Sequence, residues 1–213
     1  MKLFGFPLSP FVRKVAVVLA EKGQEFEWEP TNPRVPSEEF SKASPFGKIP
    51  AFSDGDYRLA DSTAIVIYLE ARLPSVPLLA VEARARGREV FFDEIVDTIL
   101  VPAAAPIVVN RFLKPVIFGE AGDEEAALAA EESVKRPLDY LEAEAAAHGW
   151  LNGQYGLGDI ALCSVIKTLG YTGWSLDAAA YPSLAALYGR VGEREAWQAV
   201  AAREAAMFAA SRG

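Results

Sequence analysis

The chain has 213 residues, 51% of them hydrophobic and 23% charged. That is the composition of a globular protein with one large domain or two small ones, and it excludes bulk disorder and collagen-like repeats. A net charge of −8 repels phosphate backbones, so nucleic acid is not an expected partner. A single cysteine and a single histidine leave no internal disulfide, no thiolate-rich or two-histidine metal site and little histidine-based catalysis, so no metal is expected and the reactivity points towards a cofactor or cosubstrate.

From the N-terminus, residues 2–6 alternate as a short strand. A helix is predicted to begin at Ser9-Pro10, because serine caps helices well and proline suits the first helical position. Val12, Val15, Ala16 and Leu19 then share one face, and Gly23 ends the helix. Residues 26–29 read as a second strand. Residues 49–53 and 57–60 flank Asp54-Gly55-Asp56, a hairpin signal. Ser62 is the predicted cap of a helix running to about Leu73, and the proline-containing stretch 73–82 reads as a linker. Beyond it the chain is rich in Ala, Glu and Arg and reads as helices at 83–101, ended by Pro102, and at about 104–118, 123–147, 158–170, 182–191 and 194–211. No stretch has the length and apolarity of a bilayer span, and Met1-Lys2 opens no signal peptide, so a cytoplasmic protein without membrane contact is expected.

Three stretches of the first part carry chemistry. Ser9 stands at a strand-to-helix turn, where free N–H groups and the helix dipole favour an anion. Its oxygen is expected to accept from the backbone while its O–H remains able to donate to a thiolate. Read alone, Ser9 is better explained as a plain cap. In Ser44-Pro45-Phe46-Gly47-Lys48-Ile49-Pro50, a trans proline is tolerable at a first strand position, whereas a cis Ile49–Pro50 bond would turn the Ile49 N–H and C=O outward towards a peptide-like ligand. Asp61-Ser62 precede a helix, where the Ser62 hydroxyl and backbone N–H groups suit a carboxylate and Asp61 suits an ammonium group. In isolation a simple cap is the better explanation of that pair.

In their order and spacing these stretches resemble the cytosolic glutathione S-transferase superfamily, in particular a serine-type (theta/phi/tau-like), bacterial-style member. The resemblance covers the whole chain. It implies an α+β, thioredoxin-like N-terminal domain (βαβ-ββα, residues 1–76) that binds glutathione, then an all-α domain (83–213) that contributes an electrophile pocket. Ser9 matches the catalytic serine, the stretch 45–52 matches the loop with the cis-proline, and Asp61-Ser62 match the acidic-Ser pair for the γ-glutamyl group. Residues 153–159 match the capping motif of the helical domain.

The resemblance further implies that Ser9 stabilises the glutathione thiolate, that Ile49 and Pro50 hold the cysteinyl backbone, and that Lys48 sits near the glycine carboxylate. Several serine classes carry a basic pair where this chain has Val35 and Pro36; Arg34 or Lys42 are the candidate substitutes. Leu8, Phe11 and Phe112 would line the pocket for a small hydrophobic electrophile between the domains, with ordinary packing as the simpler reading of each. Phe46 stands where some classes insert an aromatic key into the partner of a homodimer. Gly156 departs from the usual Ser or Thr, and Asp159 is read as structural. Cys163 is expected to be an inert core thiol, Arg13 a structural ion pair, and His148 a helix C-terminal cap. The expected function is glutathione-dependent transferase chemistry in detoxification. A specialised isomerase, dehalogenase or ether-cleaving enzyme is the enzymatic alternative. A non-catalytic binding or regulatory module is the other alternative.

Overall fold

A computed structural model describes residues 1–32 and 35–210. The chain folds into two compact units. The first is Met1–Leu78 together with the C-terminal helix, and the second is Leu79–Val191.

The first unit is built on a four-stranded sheet. Strands β1 (Lys2–Phe4), β2 (Glu27–Glu29), β3 (Ala51–Asp54) and β4 (Tyr57–Ala60) lie in the order β2-β1-β3-β4. β1 is parallel to β2 and antiparallel to β3, and β3 pairs with β4 as a hairpin about Gly55. Helix α1 (Pro10–Glu21) supplies the crossover between β1 and β2, and α3 (Ser62–Arg72) packs beside it. The short α2 (Glu38–Ala43) packs on β3 and β4. Phe40 and Ala43 of α2 close an apolar cluster with Phe4 and Ala51.

Helix α2 has no counterpart in the elements predicted above. Its signal is present, because Ser37 caps it through the Phe40 N–H at 3.1 Å and Glu38 and Glu39 fill its first turn. Six residues are too few for an apolar period to show. The strands at 2–6 and 49–53 are shortened at their glycine and proline ends to Lys2–Phe4 and Ala51–Asp54.

The expected apolar face of α1 is buried, and so is every residue from Val12 to Leu19, including Arg13 and Lys14. Part of the reason lies at the far end of the chain. Helix α10 (Glu195–Ala210) packs against α1. Glu204 receives the Arg13 guanidinium at 2.7 Å, with both side chains out of solvent. Arg194 grips Glu21 at 2.6 Å, and Arg203 donates to the Phe26 carbonyl while lying over the Phe26 and Trp28 rings. The division at the linker predicts that residues 194–211 belong with the helical part; their contacts place α10 in the first unit.

The second unit is helical: α4 (Ala83–Ile95), α5 (Val101–Val108), α6 (Glu124–Ser133), α7 (Lys135–His148), α8 (Leu157–Gly170) and α9 (Pro182–Gly192). Pro102 does not end the first of these. The stretches Val96–Leu100 and Val109–Phe118 are wound as π-helix, so the path stays helical from Ala83 to Phe118 through Pro102, Pro106 and Pro115. Wider turns change the hydrogen-bond partner by one residue, which accommodates prolines that have no N–H to give. The predicted helix at 123–147 divides at Val134, because Pro137 cannot donate to the Ser133 carbonyl. α8 is buried on nearly all sides, as an apolar helix at the centre of a bundle must be. Among the described residues, no helix is long and apolar enough to cross a membrane.

Candidate active site

Strand register determines where the chemistry gathers. Phe4 is paired with Ala51, and Ala51 with Ala60. The C-terminal end of β1, the N-terminal end of β3 and the C-terminal end of β4 therefore share one edge, about 10 Å across at ordinary strand spacing. From that edge leave the turn to Ser9, the loop that ends in Pro50, and the pair Asp61-Ser62. All six residues expected to bind glutathione or activate its thiol thus lie at one end of the sheet.

Gly5 makes this approach possible. Its N–H donates to Glu29, and its carbonyl accepts from Thr31 N–H and the Trp28 indole. A Cβ at Gly5 would lie 2.4 Å from a Val12 methyl and 3.4 Å from the Ile49 Cβ. Only a glycine lets the β1 end, α1 and the Ile49 loop come so near.

Ser9 is the residue before α1 and has extended backbone angles, with its carbonyl accepting from Arg13 N–H at 2.9 Å. Its hydroxyl makes no cap hydrogen bond, contrary to the expectation that its oxygen would accept from the backbone. It is half-buried at a helix N-terminus with both donor and acceptor capacity uncommitted to the helix.

The Ile49–Pro50 bond is cis. Gly47, in a left-handed conformation, turns the chain, and the Ser44 hydroxyl donates to the Lys48 carbonyl at 2.7 Å, holding the loop closed on itself. Ile49 is half-buried against the Phe4–Phe40 cluster, and its N–H has no hydrogen-bond partner among the described residues. Lys48 is exposed. Lys42 pairs with Glu38 on α2 at 2.6 Å, and Arg34 lies outside the described residues.

The cap of α3 is Asp61 and not Ser62. Asp61 accepts the Ala64 N–H at 3.0 Å, and Ser62 is the first helical residue, buried. Two good capping residues stand side by side, and the upstream one takes the role. Asp61 has φ 86° and ψ 127°, alone in positive φ among the non-glycine residues described. Such backbone costs about 1–3 kcal/mol and collects at functional sites.

The remaining candidates divide plainly. Leu8 is buried and Phe11 half-buried in the first unit. Phe112 is buried in the second unit, its ring 5.8 Å from that of Tyr171. Phe46 is 91% exposed. Cys163 is wholly buried, and burial pushes its thiol well above the usual range, which suits an inert core residue. A groove of about 520 Å³ lined by Met1, Phe26 and Arg203 lies at the opposite end of β1 from Ser9.

Two features went unread in the sequence. Lys14 is buried with its ammonium 3.3 Å from the Thr63 hydroxyl; a lysine inside the apolar run from Val12 to Leu19 was the visible sign. Glu89 of α4 reaches the N-terminus of α8, where its Oε1 accepts the Gly158 N–H at 2.8 Å, and no local pattern announces that.

The family model described as "Glutathione S-transferase, N-terminal domain" matches residues 3–77, and that described as "Glutathione S-transferase, C-terminal domain" matches 94–195. Glutathione S-transferase 3 of Zea mays is 34% identical over 96% of this chain and 90% of its own. A glutathione S-transferase structure from Rhodospirillum rubrum superposes with a TM-score of 0.85 at 27% identity, covering 93% of this chain and 90% of that one. A structure of glutathione S-transferase I bound with lactoylglutathione superposes with a TM-score of 0.84 at 28% identity, covering 94% and 98%.

Proposed function

The chain belongs to the glutathione S-transferase family, and from that premise we propose that Ser9 donates a hydrogen bond to the sulfur of bound glutathione and stabilises its thiolate for attack on an apolar electrophile. The observation that carries this reading is the Ser9 hydroxyl, set at the N-terminus of α1 and making no cap bond there. A thiol of pKa about 8.5 is only ~3% ionised at pH 7. Lowering it by about two units makes roughly three-quarters of it thiolate and asks for ~2.7 kcal/mol of differential stabilisation. A hydrogen bond to a charged group supplies about 1.5–3 kcal/mol. The helix terminus adds about 0.3–1 kcal/mol.

In the same reading the outward Ile49 amide pairs with the cysteinyl backbone in strand fashion beside Pro50. Asp61 and Ser62 take the γ-glutamyl end, and Lys48 takes the glycine carboxylate. Leu8 and Phe11 contribute apolar surface to the electrophile. The thiolate forms the new C–S bond, the electrophile's leaving group departs with its electron pair, and the thiol proton goes to solvent. Two copies pair about a two-fold axis, with Phe46 as the contact each inserts into the other. The reaction belongs to the cytoplasm, where thiols are kept reduced.

Retention on immobilised glutathione followed by turnover of 1-chloro-2,4-dinitrobenzene tests the reading. Loss of two pKa units in Ser9→Ala lowers turnover at pH 6.5 by about 50-fold and much less at pH 9. An unchanged thiol pKa and unchanged turnover in that variant would overturn the role of Ser9.

A further inference from the structure

Lys14 lies in the second turn of α1, the helix that Ser9 precedes, and its side chain is fully buried. Its ammonium donates to the Thr63 Oγ1 at 3.3 Å. Thr63 is the second residue of α3, directly after Asp61 and Ser62, and α1 packs against α3 along this contact. Taking an ammonium group out of water is costly, and a methionine of similar shape would fill the same space without that cost. Its neighbour Arg13 is buried too, but it points to α10 and meets Glu204. Of these two adjacent cations, Lys14 is the one that bridges the helix behind Ser9 to the helix that starts with the Asp61-Ser62 pair.

We propose that Lys14 is a positioning residue for the γ-glutamyl end of glutathione, holding the first turn of α3 through the Thr63 hydroxyl so that the Asp61-Ser62 pair keeps a fixed distance from Ser9. The inference rests on the reading of Asp61 and Ser62 given above. It goes beyond that reading by assigning the precision of the carboxylate site to a side chain that touches no ligand. The first turn of α3 presents the N–H groups that would receive a carboxylate, so a small rotation of Thr63 misaims them. The same rotation leaves the Ile49 loop and the electrophile surface untouched.

The test compares two ligands on the full chain by titration calorimetry. One is glutathione. The other is 4-aminobutyryl-cysteinyl-glycine, which is glutathione without the γ-glutamyl α-carboxylate. Lys14→Met should weaken glutathione about five- to tenfold, weaken the decarboxylated tripeptide less than twofold, and leave the KM for 1-chloro-2,4-dinitrobenzene unchanged. Equal weakening of both ligands, or of neither, in a variant with an intact fold overturns the inference while the unaltered chain still binds glutathione. Failure of the unaltered chain to prefer glutathione over the decarboxylated tripeptide overturns the underlying reading, and this inference with it. Should Lys14→Met not fold, Thr63→Val is read by the same comparison, and it must show the same ligand-selective loss.

Discussion

Glu89 does for Gly156 what Gly156 cannot do for itself. Gly156 precedes α8 and has no side chain with which to cap it, and the Gly158 N–H of that first turn is instead accepted by Glu89 from α4 at 2.8 Å. A Cβ on Gly156 would lie 2.5 Å from that same Glu89 Oε1. Asn152 donates to the other Glu89 oxygen at 3.0 Å, so the carboxylate is held in place. The Ser or Thr usual in the family and the Glu89 carboxylate are alternative occupants of one space.

It follows that Gly156→Ser destabilises the chain although it installs a better capping residue. Glu89→Ala strands a buried N–H at a cost of about 1–3 kcal/mol. Gly156→Ser with Glu89→Ala should recover at least about 1 kcal/mol relative to the sum of the single changes. Urea unfolding of the three variants measures that coupling; simple additivity would refute the exchange.

Asp159 gives the unit a pH dependence of defined sign. Its carboxylate accepts Leu151 N–H and Gly156 N–H at 3.0 Å, yet burial, reinforced by the charge of Glu89, pushes its pKa from 3.8 up to about 7. Glu89 is raised as well, chiefly by burial. Between about pH 4 and 7 the folded Asp159 therefore binds more protons than the unfolded one, and its contribution to stability is full at the low end and falls as pH rises. Asp159→Asn removes this slope. The stability gap between the original chain and the variant should narrow by a few kcal/mol at most from pH 4 to 7, as followed by denaturant midpoints. A gap that widens would contradict the assignment.

At Asp61 stability and binding can be separated. Asp61→Ala loses the bond to Ala64 N–H and keeps the unfavourable φ of 86°, costing about 1–2 kcal/mol. Asp61→Gly loses the same bond but relieves the backbone, so it should fall within about 1 kcal/mol of the original. Both lose the carboxylate proposed to meet the glutathione ammonium, and both should weaken glutathione by about tenfold. Glutathione affinity that follows stability instead of the carboxylate would show Asp61 to be a cap alone.

Lys22 anchors the segment that follows α3. Its ammonium lies 2.6 Å from Glu70 and donates to the carbonyls of Leu73 and Val76 at 2.9 and 2.8 Å, while Glu70 accepts the Leu78 N–H. Lys22→Met leaves a buried carboxylate without its cation and should cost about 3–5 kcal/mol. Adding Glu70→Gln should return part of that loss, because glutamine still accepts from Leu78. Thermal unfolding of the two variants decides it, and a double variant no more stable than Lys22→Met would refute the pairing.

Much of the site could be read from residues alone because its determinants are local. Ser9-Pro10 is a helix start by any standard, Asp54-Gly55-Asp56 turns a hairpin, and a fixed register then carries Ser9, Ile49 and Asp61 to one edge. What escaped depends on partners far along the chain or on choices between near-equals. Arg13 and Glu204 are 191 residues apart, so nothing near either predicts the docking of α10. Glu89 and Gly158 are 69 apart. Asp61 and Ser62 are both competent caps, and only the backbone conformation decides between them. Pro102 reads as a stop unless π-helical winding is foreseen.

The Arg13–Glu204 pair also bears on how the molecule is made. A ribosome delivers the four strands of the sheet before the helices of the second unit, but the sheet's unit stays unfinished until residues 195–210 emerge, after those helices have been synthesised. The sheet's unit completes its packing last, and a nascent chain halted before Glu204 would carry Arg13 on a helix that still lacks its counterweight.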